Sequence, residues 1–242
     1  MKSRQIAAVV SLTAAVCGAP AARADVKAVG TITIDSPQLN AALQSATPEQ
    51  RKKLAAIGLA NRLPFTLYIL GSHMRTDIGP ISVYADTARK TQLIVNRATK
   101  TMSSSSIDPG SDSQSAGTAV KITSTGKTAR ILGHIARQYK ISGSSAATGV
   151  STTGEIWAAP DIPGPKVNPF GSQLGNLYAP ELFKIKGLPL RSTIKTSGGY
   201  AGTTTIKGTV TAVSQAPLPA RVFSAPSNYH EGSVMPMGMP AP

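Results

Sequence analysis

Hydrophobic and polar residues alternate with a period of two along most of the chain, which is typical of β-strands that bury one face. Gly and Ser residues separate the alternating segments, and Gly79-Pro80 marks a turn between two of them. The pattern therefore predicts a meander of antiparallel strands. The predicted strands are residues 29–34, 65–78, 81–86, 92–101, 129–141, 150–158, 189–196 and 203–214.

Two short segments after the first strand carry the signals of helix starts. A capping serine or threonine precedes a proline at residues 36–37 and again at residues 47–48. Residues 47–50 also match a capping box. We therefore expect a helix over residues 48–60, packed through an apolar stripe.

These elements predict an α+β fold dominated by one large, curved antiparallel sheet, a half-barrel with a few helices on its hollow face. Residues 103–118 form a polar, serine-rich loop, and residues 160–187 are rich in proline and glycine, with a short helical segment at 180–185. We expect residues 25–231 to form a single domain. Residues 232–242 are expected to be a disordered tail, because their prolines block strand pairing and they contain few apolar residues.

Residues 1–24 have the features of a secretory signal peptide in the expected order. Lys2 and Arg4 precede an apolar run over residues 6–16, and the small-x-small sequence at residues 22–24 fits a signal-peptidase site. The apolar run is too short to span a bilayer as a helix. We expect cleavage near Ala24 and a periplasmic or secreted protein. The alternative is a buried N-terminal helix.

Cys17 is the one cysteine of the chain. A lipoprotein signal needs a small residue before its cysteine, and Val16 stands there, so lipidation of Cys17 is the less favoured alternative. Cleavage after Ala24 removes the cysteine, and the remaining chain then depends on a hydrophobic core without a disulfide.

The chain carries 25 Lys and Arg residues against 11 Asp and Glu residues, a formal net charge of +14. This excess suits an anionic partner, and export makes an anionic membrane surface more available than nucleic acid. The basic residues are scattered, with Arg51-Lys52-Lys53 as the longest run, which argues against nucleic-acid binding. No segment after the predicted signal peptide is apolar over the length of a membrane span, so we expect no transmembrane helix.

The sequence lacks the common catalytic signatures, with neither Gly-x-Ser-x-Gly nor His-Glu-x-x-His. Asp108 and Asp112 form the closest pair of carboxylates, but they lie in the serine-rich loop, which cannot hold an acid and a base in register. His73 and His134 lie in strand patterns without further ligands at metal spacing. The sequence therefore predicts a non-enzymatic protein without a cofactor.

The tail contains donor atoms for a soft metal. Met235, Met237 and Met239 follow His230, and thioethers with an imidazole suit Cu(I). The favoured alternative is a compositional Pro/Met tail without a metal site.

Motifs in the second half of the chain resemble a known family. They are GHIARQY at 133–139, GEIWAAP at 154–160, GLPL at 187–190, PLPARVF at 217–223 and PSNY at 226–229. These motifs are similar to those of an exported bacterial family known as domain of unknown function 4412. That family in turn resembles the LolA/LolB-like periplasmic lipoprotein carriers.

The resemblance implies a strongly curved sheet whose hollow accepts acyl chains in the carriers, and it supplies no catalytic residues. We therefore expect an exported envelope protein that binds a lipid or another apolar ligand in that hollow. The alternative is a structural or protein-interaction module of the periplasm or cell envelope with no ligand and a filled hollow. The candidate ligand-binding residues, assigned to the hollow by alternation, are Phe65, Leu67, Ile69, Leu93, Val95, Ile156, Ile194 and Ile206.

Overall fold

The computed structural model describes residues 25–56, 59–107, 119–145, 149–167, 185–198, 202–232 and 234. These residues form 12 strands, two α-helices and one 3-10 turn, Ala220–Phe223. The helices are α1 (Pro37–Ser45) and α2 (Pro48–Ala56). The strands are β1 (Val26–Asp35), β2 (Arg62–Leu70), β3 (His73–Ile78), β4 (Ile81–Asp86), β5 (Thr91–Asn96), β6 (Thr101–Ser106), β7 (Ala119–Ile131), β8 (His134–Ser145), β9 (Val150–Ala159), β10 (Leu188–Ser197), β11 (Thr203–Ser214) and β12 (His230–Glu231).

All these strands join one open, curved sheet in the order β12-β6-β5-β4-β3-β2-β1-β11-β10-β9-β8-β7. The central strand is β1. Strands β2 to β6 form a meander on one side of it, and β7 to β11 return to its other side as a second meander. Neighbouring strands are antiparallel except β12, which pairs with β6 in parallel. Strands account for 59% of the described residues, which confirms the predicted sheet-dominated antiparallel fold.

Three predicted strands are each divided by a hairpin turn. The turn after β2 contains Gly71 with φ of +60°, the turn after β5 contains Lys100 with φ of +57°, and the turn after β7 contains Leu132 with φ of +51°. The alternation of the sequence continues through these turns without an Asn-Gly or Gly-Pro signal. The sequence therefore predicted one strand where the structure has two.

The prediction of a loop over residues 103–118 was wrong at its start. Residues 103–106 belong to β6, which pairs with β5. Residues 108–118, with Asp108 and Asp112, lie outside the described residues.

The sheet has two faces, which are distinguished by cross-strand pairs. Leu67 pairs with Thr76 and Thr76 with Val83, so these side chains share the face that we call the inner face. Arg75 pairs with Tyr84, and their side chains lie on the opposite face, which we call the outer face.

A row of isoleucines crosses the inner face. Ile206 pairs with Ile34 on one side and with Ile194 on the other. Gly154 pairs with Ile194, and Ile141 follows beyond Gly154. Ile206, Ile194 and Ile141 are 4%, 2% and 3% exposed, so this row is part of the buried core. An added Cβ at Gly154 would collide with the backbone of β10, so glycine permits the close approach of the two strands.

The helices begin where the sequence predicted. The backbone N–H of Thr47 donates to Gln50 Oε1 at 2.8 Å, and the N–H of Gln50 donates to Thr47 Oγ1 at 3.2 Å, which confirms the capping box. Helix α2 ends at Ala56 rather than at residue 60. Helix α1 buries none of its residues, and the described side chains of both helices lie outside the hydrophobic clusters of the described chain.

The chain crosses the outer face after β11. The N–H of Leu218 donates to Asp25 Oδ2 at 2.6 Å, and the guanidinium of Arg75 donates to the carbonyl of Val222 at 3.0 Å. The crossing ends at the edge of the sheet, where β12 pairs with β6.

The segment after β12 then reaches the inner face. Val234 is 3% exposed and packs with Val83 and Ile94. The buried side-chain amide of Asn96 donates to the carbonyl of Val234 at 3.2 Å. The sequence predicted a disordered tail from residue 232 onward, and the buried position of Val234 differs from that prediction. Residues 235–242 lie outside the described residues.

Candidate functional site

Two adjoining cavities open where β1 ends and the helices begin. One, of about 600 Å³, lies between α1 and α2, and the other, of about 340 Å³, lies against the ends of β1, β2 and β11. Asn40 and Asn61 line both cavities, so we treat them as one site and call it the helix groove. The larger cavity is lined by Asn40, Leu43, Gln44, Arg51, Ala55, Leu59, Ala60 and Asn61. The smaller cavity is lined by Thr33, Ile34, Asp35, Asn40, Asn61, Arg62, Thr205 and Lys207.

Local hydrogen bonds hold the two helices around the groove. Arg51 Nε donates to the carbonyl of Ala46 at 3.1 Å, and a second guanidinium nitrogen donates to the carbonyl of Gln44 at 3.4 Å. These bonds satisfy carbonyl groups at the end of α1, where the helix itself supplies no donor. The side-chain amide of Asn40 donates to Asp35 Oδ1 at 2.9 Å, which ties α1 to the end of β1.

The larger cavity is lined by both polar and non-polar side chains of the two helices and the segment after them. Asn40, Leu43 and Gln44 follow the three- and four-residue spacing that places them on one face of α1. Ala55 faces the same space from α2, four residues after Arg51. Leucine and alanine side chains therefore supply most of the non-polar lining of this cavity.

The smaller cavity carries positive charge. Thr33 pairs with Arg62 on β2 and with Lys207 on β11, so the two cations flank one residue of β1. Neighbouring strands are about 4.8 Å apart, which separates the two backbones by roughly 10 Å. Within the described residues neither cation forms an ion pair. Asp35 also lines this cavity, and it accepts the hydrogen bond from Asn40.

The groove therefore combines a cavity that is partly lined by leucine and alanine side chains with an adjacent pair of cations. Its larger cavity falls within the roughly 300–1,000 Å³ range of small-molecule sites. This arrangement suits a molecule with a non-polar chain and an anionic group.

Six of the eight residues predicted to bind ligand belong to the hydrophobic clusters rather than to the helix groove. Leu67 and Ile69 are 5% and 8% exposed and pack in one cluster, together with the partly buried Phe65. The remaining three of these six residues are Ile156, Ile194 and Ile206, and each is at most 4% exposed. In the described structure these side chains fill space against each other, so their assignment as ligand contacts stays a prediction.

Leu93 and Val95 were assigned to the wrong face. Leu93 pairs with Tyr84 and Val95 pairs with Ser82, whereas Ile94 lies in the row of Leu67. Leu93, Ile94 and Val95 are three apolar residues in succession, so alternation could not show which of them point inward.

His134 and His73 each have an aspartate nearby. His134 Nδ1 lies 2.7 Å from Asp161 Oδ2, and this hydrogen bond lowers the pKa of Asp161 below its ordinary value. His73 Nδ1 lies 3.7 Å from Asp86 Oδ2. His230 is exposed on β12, and the described residues contain no group of three His, Cys, Asp or Glu side chains that could hold a metal ion.

The methionines proposed as copper ligands, Met235, Met237 and Met239, lie outside the described residues. The copper site therefore stays a prediction.

Sequence reasoning missed the residues of the helix groove. Arg62 and Lys207 are separated by more than half of the chain and meet only because β2 and β11 both pair with β1. The usable local signal was the pair of proline-started helices, whose short connection places α1 and α2 side by side.

The fold and the groove define an open antiparallel sheet protein with a small-molecule-sized site between its helices and its central strand. This chain is similar to the solved structure of a LolA superfamily protein from Nitrosomonas europaea, which covers 84% of this chain and 91% of that chain at 7% identity and a TM-score of 0.34. A likeness of this size adds no argument to those from the groove. No family model matches the chain, so the resemblance to the family of unknown function is not confirmed. No curated protein matches it either.

The described residues contain no helix that is both long enough and apolar enough to cross a bilayer.

Proposed function

We propose that this chain is an exported, non-enzymatic envelope protein that binds a lipid or another amphiphilic ligand in the helix groove. The apolar part of the ligand lies between α1 and α2, against Leu43 and Leu59. Its anionic group lies near Arg62 and Lys207. The observation that carries the proposal is the continuity of the larger cavity, whose non-polar lining comes from leucine and alanine side chains, with the cationic cavity through Asn40 and Asn61.

The position of the groove differs from the predicted position in the middle of the hollow. The support for this change is the burial of the predicted contacts: Ile194 and Ile206 are 2% and 4% exposed, which leaves little surface for a ligand. The groove residues are more accessible, since Asn61, Arg62 and Lys207 are exposed. An amphiphile gains most from such a site because burial of its chain and pairing of its charge add together.

Export to the periplasm or beyond belongs to the same proposal. Its support is the signal-peptide pattern of residues 1–24, and N-terminal sequencing of the protein secreted by a host cell tests it. A mature chain that begins near Asp25 is expected. An unprocessed chain that stays in the cytoplasm would contradict it.

Mass spectrometry of the natively purified protein tests ligand binding. We expect a co-purified amphiphile, and we expect the free protein to bind dansyl-labelled undecanoic acid more tightly than its uncharged methyl ester. The Arg62→Gln and Lys207→Gln double variant should lose that preference. The matched Lys121→Gln and Lys195→Gln variant, which removes the same charge from two exposed positions elsewhere on the sheet, should keep it. No bound amphiphile together with no uptake of the acid would refute the proposal.

A second candidate function is a protein-interaction module without a ligand. Its support is the long strand β7, which lies at the edge of the sheet with one side unpaired in the described structure. Such an edge can pair with a strand of another protein. If the edge of β7 is the contact, Thr123→Pro should abolish binding of the partner protein. Ala216→Pro, a change at an exposed loop residue, should leave that binding intact.

A further inference from the structure

The hairpin between β7 and β8 exposes large apolar side chains. Leu132 and Ile135 are 43% and 57% exposed, and they are the large hydrophobic residues that the described part of the chain leaves open to solvent. Each leaves apolar surface in water, and neither belongs to the hydrophobic clusters of the described residues. Their position at the tip of a hairpin at one end of the sheet makes both accessible to a partner.

Leu132 is also unfavourable for the backbone. Ile131 pairs with His134, so Leu132 and Gly133 form a two-residue turn, with φ of +51° and +86°. A turn of this type favours Asn-Gly, because the first residue must adopt a left-handed conformation that strains most side chains. Leucine therefore weakens the hairpin both by exposure and by strain, which points to a role other than folding.

Basic side chains accompany Ile135 on one face of the hairpin. Arg130 pairs with Ile135, and Arg137 follows two residues later on the same strand, so all three share a face. Both arginines are exposed, and Arg130 Nη1 donates to the carbonyl of Gly133 at 3.0 Å. The described acid near the tip, Asp161, binds His134, which lies on the other face of the hairpin.

We propose that the tip of the β7–β8 hairpin docks on an anionic lipid bilayer. Leu132 and Ile135 enter the interface between headgroups and acyl chains, while Arg130 and Arg137 contact headgroup phosphates. Charge complementarity favours this partner, because the chain from Asp25 onward carries 22 Lys and Arg residues against 11 Asp and Glu residues. The face of the tip also carries cations without a carboxylate partner in the described structure. Two apolar side chains offer too little area for a stable protein interface, but they suffice for reversible membrane attachment with basic residues.

This docking surface is separate from the helix groove, which α1, α2 and the ends of β1, β2 and β11 form. Membrane attachment and ligand binding in the groove can therefore be tested independently of each other.

Co-sedimentation with vesicles tests the proposal through the apolar pair. We expect the protein to bind phosphatidylglycerol vesicles and to remain free with phosphatidylcholine vesicles. The Leu132→Asn and Ile135→Thr double variant should bind the anionic vesicles at least roughly tenfold more weakly. Ile135→Val, which keeps an apolar β-branched side chain, should retain most of the binding. Circular dichroism of each variant establishes that the sheet is intact.

A second pair of variants tests the position of the charges. Arg130→Gln with Arg137→Gln should weaken binding strongly, whereas Lys52→Gln with Lys53→Gln on α2 removes the same charge and should have a small effect. Equal losses in the two variants would mean attraction by overall charge and would overturn the proposal. Unchanged binding after the double change at Leu132 and Ile135 would overturn it too, as would a failure of the parent protein to bind anionic vesicles.

Discussion

The ring of Phe65 lies across Gly30 of the adjacent strand, at the place where a side chain of residue 30 would project. An added Cβ at Gly30 would stand 2.5 Å from Phe65 Cε1 and would also collide with the carbonyl oxygen of Thr209. Glycine therefore lets the central strand pack closely against both neighbours while the ring covers the gap. This contact lies between the buried residues Ala28 and Ile32 of β1.

We predict that Gly30→Ala lowers the free energy of unfolding by about 1–3 kcal/mol, because the backbone or the ring must move to admit the methyl group. Urea denaturation measures the change. Gly232→Ala is the matched control, since its Cβ would meet only ordinary contacts beginning at 3.5 Å, and it should change stability by less than about 0.5 kcal/mol. Equal stability of the Gly30→Ala variant and the parent would show that β1 is less tightly packed than described.

Removal of Val234 should destabilise the fold. A chain that ends at residue 231 loses the buried valine and the acceptor for Asn96, so its free energy of unfolding should fall by about 2 kcal/mol relative to a chain that ends at residue 234. Thermal and urea denaturation of the two truncated chains make the comparison. Identical midpoints would support the expectation from the sequence that residues 232–242 are a disordered tail.

Leu132→Asn should stabilise the protein. Asparagine tolerates the left-handed conformation at this turn position and exposes less apolar surface, so we expect a gain of about 1 kcal/mol in the free energy of unfolding. A gain in stability combined with a loss of vesicle binding would indicate that leucine is kept at a cost to folding. A loss of stability would mean that Leu132 packs in a way that supports the hairpin.

The hydrogen bond between Asp161 and His134 should stabilise the folded protein slightly, and acid should remove this stabilisation. The hydrogen bond lowers the pKa of Asp161 in the folded protein, so the stabilisation is present above the ordinary carboxylate pKa of about 3.9 and is lost as the pH falls through the lowered folded value. Asp161 is 56% exposed, so solvent limits the effect to at most about 1 kcal/mol. Asp161→Asn should therefore be less stable than the parent at pH 7 and similar to it near pH 2.

Denaturation of the Asp161→Asn variant at the two pH values measures this difference. Its matched control is the same change in a His134→Gln background, where the effect should largely disappear. A stability difference that persists unchanged at low pH would assign the effect of Asp161 to another contact.

The architecture of the sheet followed from residues with strong local signals. Strand β4 and strand β11 have the predicted bounds. Gly79-Pro80 marks the start of β4, and Gly202 and Pro217 lie on the two sides of β11. The start of α2 was predictable because Thr47 and Gln50 form a capping box whose two bonds depend on residues only three positions apart. The turns at Lys100 and Leu132 were not predictable, because neither residue type normally occupies a left-handed position.

The helix groove was beyond sequence reasoning for a different reason. Its cations, Arg62 and Lys207, become neighbours through pairing with β1, and that pairing depends on the order of strands in the whole sheet. Register also decides the face of each side chain, since a displacement of one residue exchanges inner and outer positions. Leu93 and Val95 were misplaced because, with Ile94 between them, three successive apolar residues left the inner face of the strand undecided, although the strand itself was predicted.

Ligand occupancy of the helix groove is the central claim, and titration with dansyl-labelled undecanoic acid tests it most directly. Ala55→Trp fills the larger cavity from α2 and should raise the dissociation constant at least roughly tenfold. Ala88→Trp introduces the same side chain at an exposed turn away from the groove and should leave the constant unchanged. Equal affinity of the parent, Ala55→Trp and Ala88→Trp proteins would contradict the assignment of the ligand to this groove.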